Sequence, residues 1–191
     1  MEQLKEQEKF TYHDYLTWDD NQRWELIDGV PYMMAAPRIK HQTVLGNLHY
    51  FFKDYLKDKS CKVMISPVDV KIDHQIGDRE DDDTDTVVQP DLIIVCDPSK
   101  IGEKAILGAP DMIVEILSPS NTKMDRWIKF NRYQVAGVKE YWIVDTLSMA
   151  IEVYLLTAPD TYTRDHMYEK EGEIPVKIFK DLVLDVADIF A

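Results

Sequence analysis

The run Met112-Ile113-Val114-Glu115-Ile116-Leu117 constrains the fold more than any other segment of this 191-residue chain. Its apolar character is continuous except for one carboxylate, which suits a strand inside a core. A buried, unpaired carboxylate costs roughly several kcal/mol. Glu115 therefore has a partner, holds a cation, or sits on an edge strand and faces water. The run itself leaves these readings open.

The surrounding sequence supplies the rest of a mixed α/β pattern. Thr11 followed by Asp14 resembles a capping box that opens a short helix through Trp18. RWELIDGVPYMM reads as a hairpin turning at Asp28-Gly29, with Trp24 and Leu26 alternating with Glu25 and Ile27, so that Glu25 lies opposite Trp24. Residues 41 to 59 carry Val44, Leu45, Leu48, Phe52, Tyr55 and Leu56 at helical spacing. Strands are expected near 62 to 72 and 86 to 96, joined by an acidic loop. After the strand containing Glu115 come a helix over 122 to 136 ended by Gly137, a buried strand EYWIVD, further strands from IEVYLL onward and a last helical turn in DVADIF. One mixed α/β domain over 1 to 191 is expected, with 1 to 9 as a flexible or helical tail.

Composition narrows the function. The longest apolar stretches fall far short of a membrane span, and MEQLKEQEKF lacks the apolar core of a signal peptide, so a soluble cytoplasmic protein is expected. Cys61 and Cys96 lack metal-type spacing, and no disulfide is expected between them. The five histidines include no pair at i, i+4, which gives zinc little support. DDDTD lacks the glycine and the distant glutamate of a calcium loop and reads as a solvated segment. A net charge of −13 opposes non-specific affinity for polyanions. The charge is uneven, however: residues 121 to 140 carry Lys123, Arg126, Lys129, Arg132 and Lys139 against only Asp125 and Glu140. Any nucleic-acid binding is expected to be weak, salt-dependent and routed through this stretch.

Two acids stand in comparable settings. Asp91 follows Pro90 at the start of LIIV, and Glu115 lies inside the next apolar run. Strands joined by a short connection are usually neighbours, so the two carboxylates can converge, and a pair of hard oxygen ligands suits Mg²⁺. Taken alone, Asp91 is equally well a turn residue after proline. On the helix that follows, Met124, Trp127, Ile128 and Val135 form the expected buried face. Asp125, Lys129, Arg132 and Tyr133 gather roughly 140° away. By itself that polar face reads as solvent-exposed, with Asp125 as a cap partner for Thr122.

Pro90-Asp91 followed by Glu115-x-Leu117 resembles the PD-(D/E)XK nuclease signature, with leucine where the lysine is expected. The chain more closely resembles the Uma-two family of restriction endonucleases. The matching segments, in order, are WELIDGVPYMM, VVQPDLIIVCDPSKI, GAPDMIVEILSPSNTKMD, the Lys129-x-x-x-Tyr133 pair and GVKEYWIVD. The resemblance implies a restriction-endonuclease-like core, a mixed sheet flanked by helices, in a homodimeric Mg²⁺-dependent endonuclease acting on DNA. It places the signature lysine on the following helix, at Lys129, adds Glu25 as a further acid and sets His41 beside the site. Asp91 and Glu115 are then the metal ligands, joined by the carbonyl of Ile116, with Mn²⁺ as a substitute ion. Lys129 is expected within reach of both, flanked by Asp125 and Tyr133. Asp69-Val70-Lys71 also spells D-x-K, but no PD-containing strand precedes it, and it reads as outward-facing strand. The competing reading is a binding protein that keeps the nuclease fold without turnover.

Overall fold

The structure, a computed structural model, describes residues 8–73, 83–118 and 124–191. Most of the N-terminal tail, the centre of the acidic loop, and Thr122 with Lys123 lie outside the described residues.

In chain order the elements begin with α1 (Tyr12–Tyr15), β1 (Trp24–Ile27), β2 (Val30–Met33), α2 (Ile39–Tyr55), β3 (Lys62–Ile65) and β4 (Asp69–Lys71). They continue with β5 (Val87–Val88), β6 (Leu92–Val95), a 3₁₀ turn, β7 (Ala105–Leu107) and β8 (Met112–Ile116). A π-helical turn (Met124–Lys129) runs into α3 (Phe130–Ala136), followed by β9 (Glu140–Asp145), β10 (Ala150–Ala158) and β11 (Thr161–Glu169). The chain ends with β12 (Glu173–Pro175), β13 (Val183–Asp185) and α4 (Val186–Phe190).

Several elements follow directly from local chemistry. The Thr11–Asp14 capping box opens α1. The β1–β2 hairpin turns through Asp28 and Gly29, both at positive φ, the conformation that this dipeptide favours. Gly137 closes α3 at φ 89°, with no atom of the described residues within 4 Å of where a Cβ would stand. Substitution by alanine there is expected to cost about 1–2 kcal/mol through backbone strain alone, measurable by urea denaturation.

A six-stranded mixed sheet in the order β11-β10-β9-β8-β6-β3 forms the centre, with β8 parallel to β9 and antiparallel to β6. A five-stranded sheet, β2-β1-β5-β4-β7, packs beside it. Side chains of β8 alternate between two cores. Met112, Val114 and Ile116 meet Val44, Leu48 and Phe52 of α2. Ile113 and Leu117 face the other way, toward Tyr133 of α3 and Val70 and Val88 of the smaller sheet. Both faces of β8 are thus covered, which explains its unbroken apolar run and excludes the edge-strand reading of Glu115.

Three expectations are corrected. The run 62 to 72 is two strands in different sheets, broken at Ser66-Pro67, because proline cannot donate to a ladder. Lys71 is buried near the Tyr12 ring rather than directed outward. Cys61 and Cys96 are joined in a disulfide. The β3–β6 register, Lys62 opposite Val95, sets these two cysteines directly across from each other one residue further on.

Candidate active site

The same register logic brings the two acids together. Leu92 pairs with Val114 across β6 and β8, so Asp91, one residue before β6, falls opposite Glu115. Asp91 Oδ2 accepts from the Ile116 amide at 2.7 Å and lies 3.1 Å from His41 Nε2. The main chain of β8 thereby fixes the acid that heads β6, and α2 holds it from the other side.

Glu115 is buried and engaged through one oxygen. Its Oε1 accepts from Lys129 Nζ at 2.9 Å and from the Tyr133 hydroxyl at 2.6 Å. Lys129, 1% exposed, also lies 2.7 Å from Glu25 Oε1 and 3.6 Å from Asp125 Oδ1. The buried backbone amide of Gln89 donates to the same Glu25 oxygen at 2.8 Å. One ammonium therefore sits in a nest of three carboxylates contributed by β1, β8 and the π-helical turn. Its contacts are with Glu25, Glu115 and Asp125 rather than with Asp91, a departure from the expected reach to both metal-ligand candidates.

The helix that carries Lys129 presents the opposite face from the one its hydrophobicity suggests. Asp125, Lys129 and Tyr133 point inward and are buried. Trp127 and Val135, expected in the core, are 68% and 55% exposed. Met124 and Ile128 are only partly covered. The charged nest and the Tyr133 hydrogen bond decide this orientation, because buried ions without partners would be far more costly than two exposed apolar side chains.

Electrostatics follow from burial. Loss of water pushes the Glu115 carboxyl well above the usual range, opposed by Lys129 and reinforced by the neighbouring acids. Burial raises Asp125 to about 6, again against the pull of Lys129. For Lys129 burial alone would favour the neutral amine, but Glu115, Glu25 and Asp125 override it and keep the ammonium firmly protonated. Burial, then the Glu115 charge, hold Tyr133 neutral as a donor. Glu140 offers a contrast: it is equally buried, yet its partners are the Trp142 indole and the Ile178 amide, both neutral. It ties β9 to the turn that follows β12 and, among the described residues, has no cation in contact comparable to Lys129.

Asp91, Glu115, Asp125 and Lys129 line a narrow well of about 60 Å³, together with Arg23 and His41. Sequence reasoning missed Arg23 and Gln89. The Arg23 guanidinium donates to Gln89 Oε1 and to the Ser66 hydroxyl, fixing one wall. The only sequence signal was the position of Gln89, immediately before Pro90-Asp91. The basic stretch also differs from expectation. Arg126 pairs with Glu152, Arg132 with Asp28 and Lys139 with Asp111, while Lys129 is enclosed. Each of its described cations already has an acid, so the stretch does not form a free basic surface.

A mixed sheet flanked by helices, with carboxylates opposed on adjacent central strands and a lysine delivered from the next helix, defines a nuclease-like α/β protein. The chain matches the Uma2 family, described as "Putative restriction endonuclease", over residues 12–187, and belongs to that family. The uncharacterized protein slr1290 of Synechocystis sp. is 28% identical over 149 residues, covering 76% of this chain and 74% of its own. A crystal structure from Anabaena variabilis, described as "a putative nuclease belonging to DUF820", superposes with a TM-score of 0.69. It shares 19% identity over 95% of this chain and 97% of its own. No helix among the described residues is long and apolar enough to cross a membrane.

Proposed function

We propose that the protein is a Mg²⁺-dependent endonuclease that hydrolyses phosphodiester bonds of DNA, with Asp91 and Glu115 as metal ligands and Lys129 as the catalytic cation. The observation that carries this reading is the burial of Lys129 against Glu115, at the base of a well that Asp91 also lines. On this reading the lysine of the following helix, in contact with Glu115, takes the part that Leu117 cannot play.

The residues present fit a hard divalent cation. Among the described residues no three acidic or histidine side chains converge into a cage of their own. Mg²⁺, which keeps several waters and takes one or two carboxylates, does not require one. The hydrogen bonds described use Asp91 Oδ2 and Glu115 Oε1; the second oxygen of each acid takes part in none of them. Acids outnumber the one ammonium, and an added cation relieves that excess. When bound, the ion supplies Lewis-acid polarisation of the phosphate and a coordinated water of lowered pKa.

The chain's own groups then have distinct tasks. The Ile116 amide and His41 orient Asp91, and Tyr133 orients Glu115. Glu25 and Asp125 hold the Lys129 ammonium in place, ready to face negative charge building on the phosphorane oxygens. The test is nicking of supercoiled plasmid by the purified protein, with Mg²⁺, with Mn²⁺ and with EDTA. Cleavage that needs the ion and disappears in Glu115→Gln supports the assignment. Cleavage that persists in EDTA would overturn it. Ion binding without nicking would favour the second reading, a nuclease-fold protein without turnover, for which the paired state of the cations from Arg126 to Lys139 speaks.

A further inference from the structure

The acidic well has one lining cation that no acid holds, Arg23, and we propose that its guanidinium grips the phosphate on which the well acts. This inference rests on the nuclease reading and deepens it. It names the group that would take the phosphate oxygen left over by the metal ligands.

The β1–β2 hairpin delivers Arg23 to this place. Its ladder runs one step beyond the strand, with the Met34 amide donating to the Arg23 carbonyl at 2.8 Å. Two residues apart on extended chain, Arg23 and Glu25 share a face. Glu25 reaches Lys129 at 2.7 Å, and Arg23 lines the well with Asp91, Glu115 and Asp125.

The contacts of Arg23 are all neutral. Nε and Nη2 donate to Gln89 Oε1 at 3.1 and 2.8 Å, and Nη2 also donates to the Ser66 hydroxyl. These bonds leave the Nη1 hydrogens without a partner among the described residues. No described carboxylate lies within ion-pair distance of this half-buried side chain, although the chain carries a net charge of −13. The other cations of the well differ: Lys129 contacts Glu25, Glu115 and Asp125, and His41 faces Asp91.

The guanidinium is also set in place before any ligand arrives. Arginine only donates, so it takes the Gln89 oxygen, while Gln89 Nε2 donates to Asp69 Oδ1 at 2.8 Å and to the Tyr15 hydroxyl at 3.1 Å. The main-chain amide of Gln89 meanwhile holds Glu25. One residue therefore fixes both Arg23 and a wall of the Lys129 nest. A planar fork held this way loses little freedom when an anion binds. A phosphodiester has a pair of non-bridging oxygens, and only one need face an ion at Asp91 and Glu115. The other is left for Nη1, where a cation offsets the repulsion between the phosphate and the acids of the well.

The test measures binding without metal, apart from cleavage. A short fluorescein-labelled oligodeoxynucleotide and its methylphosphonate counterpart, whose backbone is uncharged, are titrated in EDTA, and anisotropy is followed at several salt concentrations. Arg23→Ala should weaken binding of the phosphodiester strand roughly tenfold and lower the salt slope by about 1. It should leave binding of the methylphosphonate strand unchanged. Arg23→Lys keeps the charge but cannot serve Gln89 and an anion together. It should restore the salt slope and only part of the affinity, and it carries the test if Arg23→Ala does not fold. Lys180→Ala is the control and should bind as wild type; its neighbour Asp181 contacts Tyr55, at the end of α2 remote from His41. Unchanged affinity in Arg23→Ala, or an equal loss on both strands, would overturn the contact and make Arg23 a support of the wall. Full affinity in Arg23→Lys would overturn the role of the fork. The expected pattern in a protein that never nicks plasmid would keep the contact and remove the nuclease reading. Nicking with unchanged affinity would do the opposite.

Discussion

Lys129→Ala is expected to destabilise the protein by about 3–5 kcal/mol near neutral pH, before any effect on turnover is considered. The substitution leaves Glu25, Glu115 and Asp125 buried around a space that held their common counter-charge. The cost depends on pH with a definite sign. Glu115 and Asp125 already have folded-state carboxyls raised above their ordinary values, Asp125 to about 6. For such a group the native state binds the proton more tightly than the unfolded chain, so stability falls as pH rises from the unfolded value through the folded one. Without Lys129 that window widens upward. The penalty should therefore be large near pH 7 and shrink toward pH 4–5, where the acids are protonated. Urea denaturation of wild type and variant across this range measures it directly. A penalty independent of pH would mean that lost side-chain packing, and not uncompensated charge, dominates. Lys129→Met, which keeps most of the volume, separates the two contributions.

Glu115→Gln should do the reverse: eliminate metal-dependent cleavage while leaving the apo protein at least as stable as wild type. The amide oxygen can still accept from Lys129 and Tyr133, and one charge is removed from an overcrowded set of acids. Mg²⁺ should raise the thermal midpoint of the wild type, by the equivalent of about 2.7 kcal/mol at a hundred times its dissociation constant, and should leave that of the variant in place. This readout stands apart from activity. A variant that unfolds would make Glu115 structural, in the manner of Glu140. Equal stabilisation of both proteins by Mg²⁺ would move the metal away from Glu115.

The strand of Glu115 was legible as a strand because its apolar run continues on both sides of the acid, but the run alone did not say whether the acid met a partner or water, since that depends on what covers the strand. The hairpin at Asp28-Gly29 was legible because both residues adopt positive φ readily. The orientation of the helix after Glu115 was not. Periodicity ranks Trp127 and Val135 as core and Asp125 and Lys129 as surface, and it carries no information about a cation buried among acids from distant segments. The disulfide was hidden because it depends on cross-strand register, which only pairing partners reveal. The paired state of Arg126, Arg132 and Lys139 was hidden likewise, their acids lying at Glu152, Asp28 and Asp111.

The inverted helix has a consequence for how the molecule breathes. Its attachment combines the rings of Phe130 and Tyr133 and the partly covered Met124 and Ile128 with ion pairs at Lys129, Arg126 and Arg132, while Trp127 and Val135 stay exposed. Elements held by apolar burial exchange their amide protons at rates tied to global unfolding, whereas one held partly by ions can detach locally. Deuterium uptake along Phe130–Ala136 should then follow the charge state of the nest, faster when Lys129 is removed and slower when Mg²⁺ is present. Protection of β8 and β9 should stay near that of the whole fold. On this view the helix is a reporter built into the sheet's flank: its opening rate is a direct gauge of whether the acids beneath it are balanced.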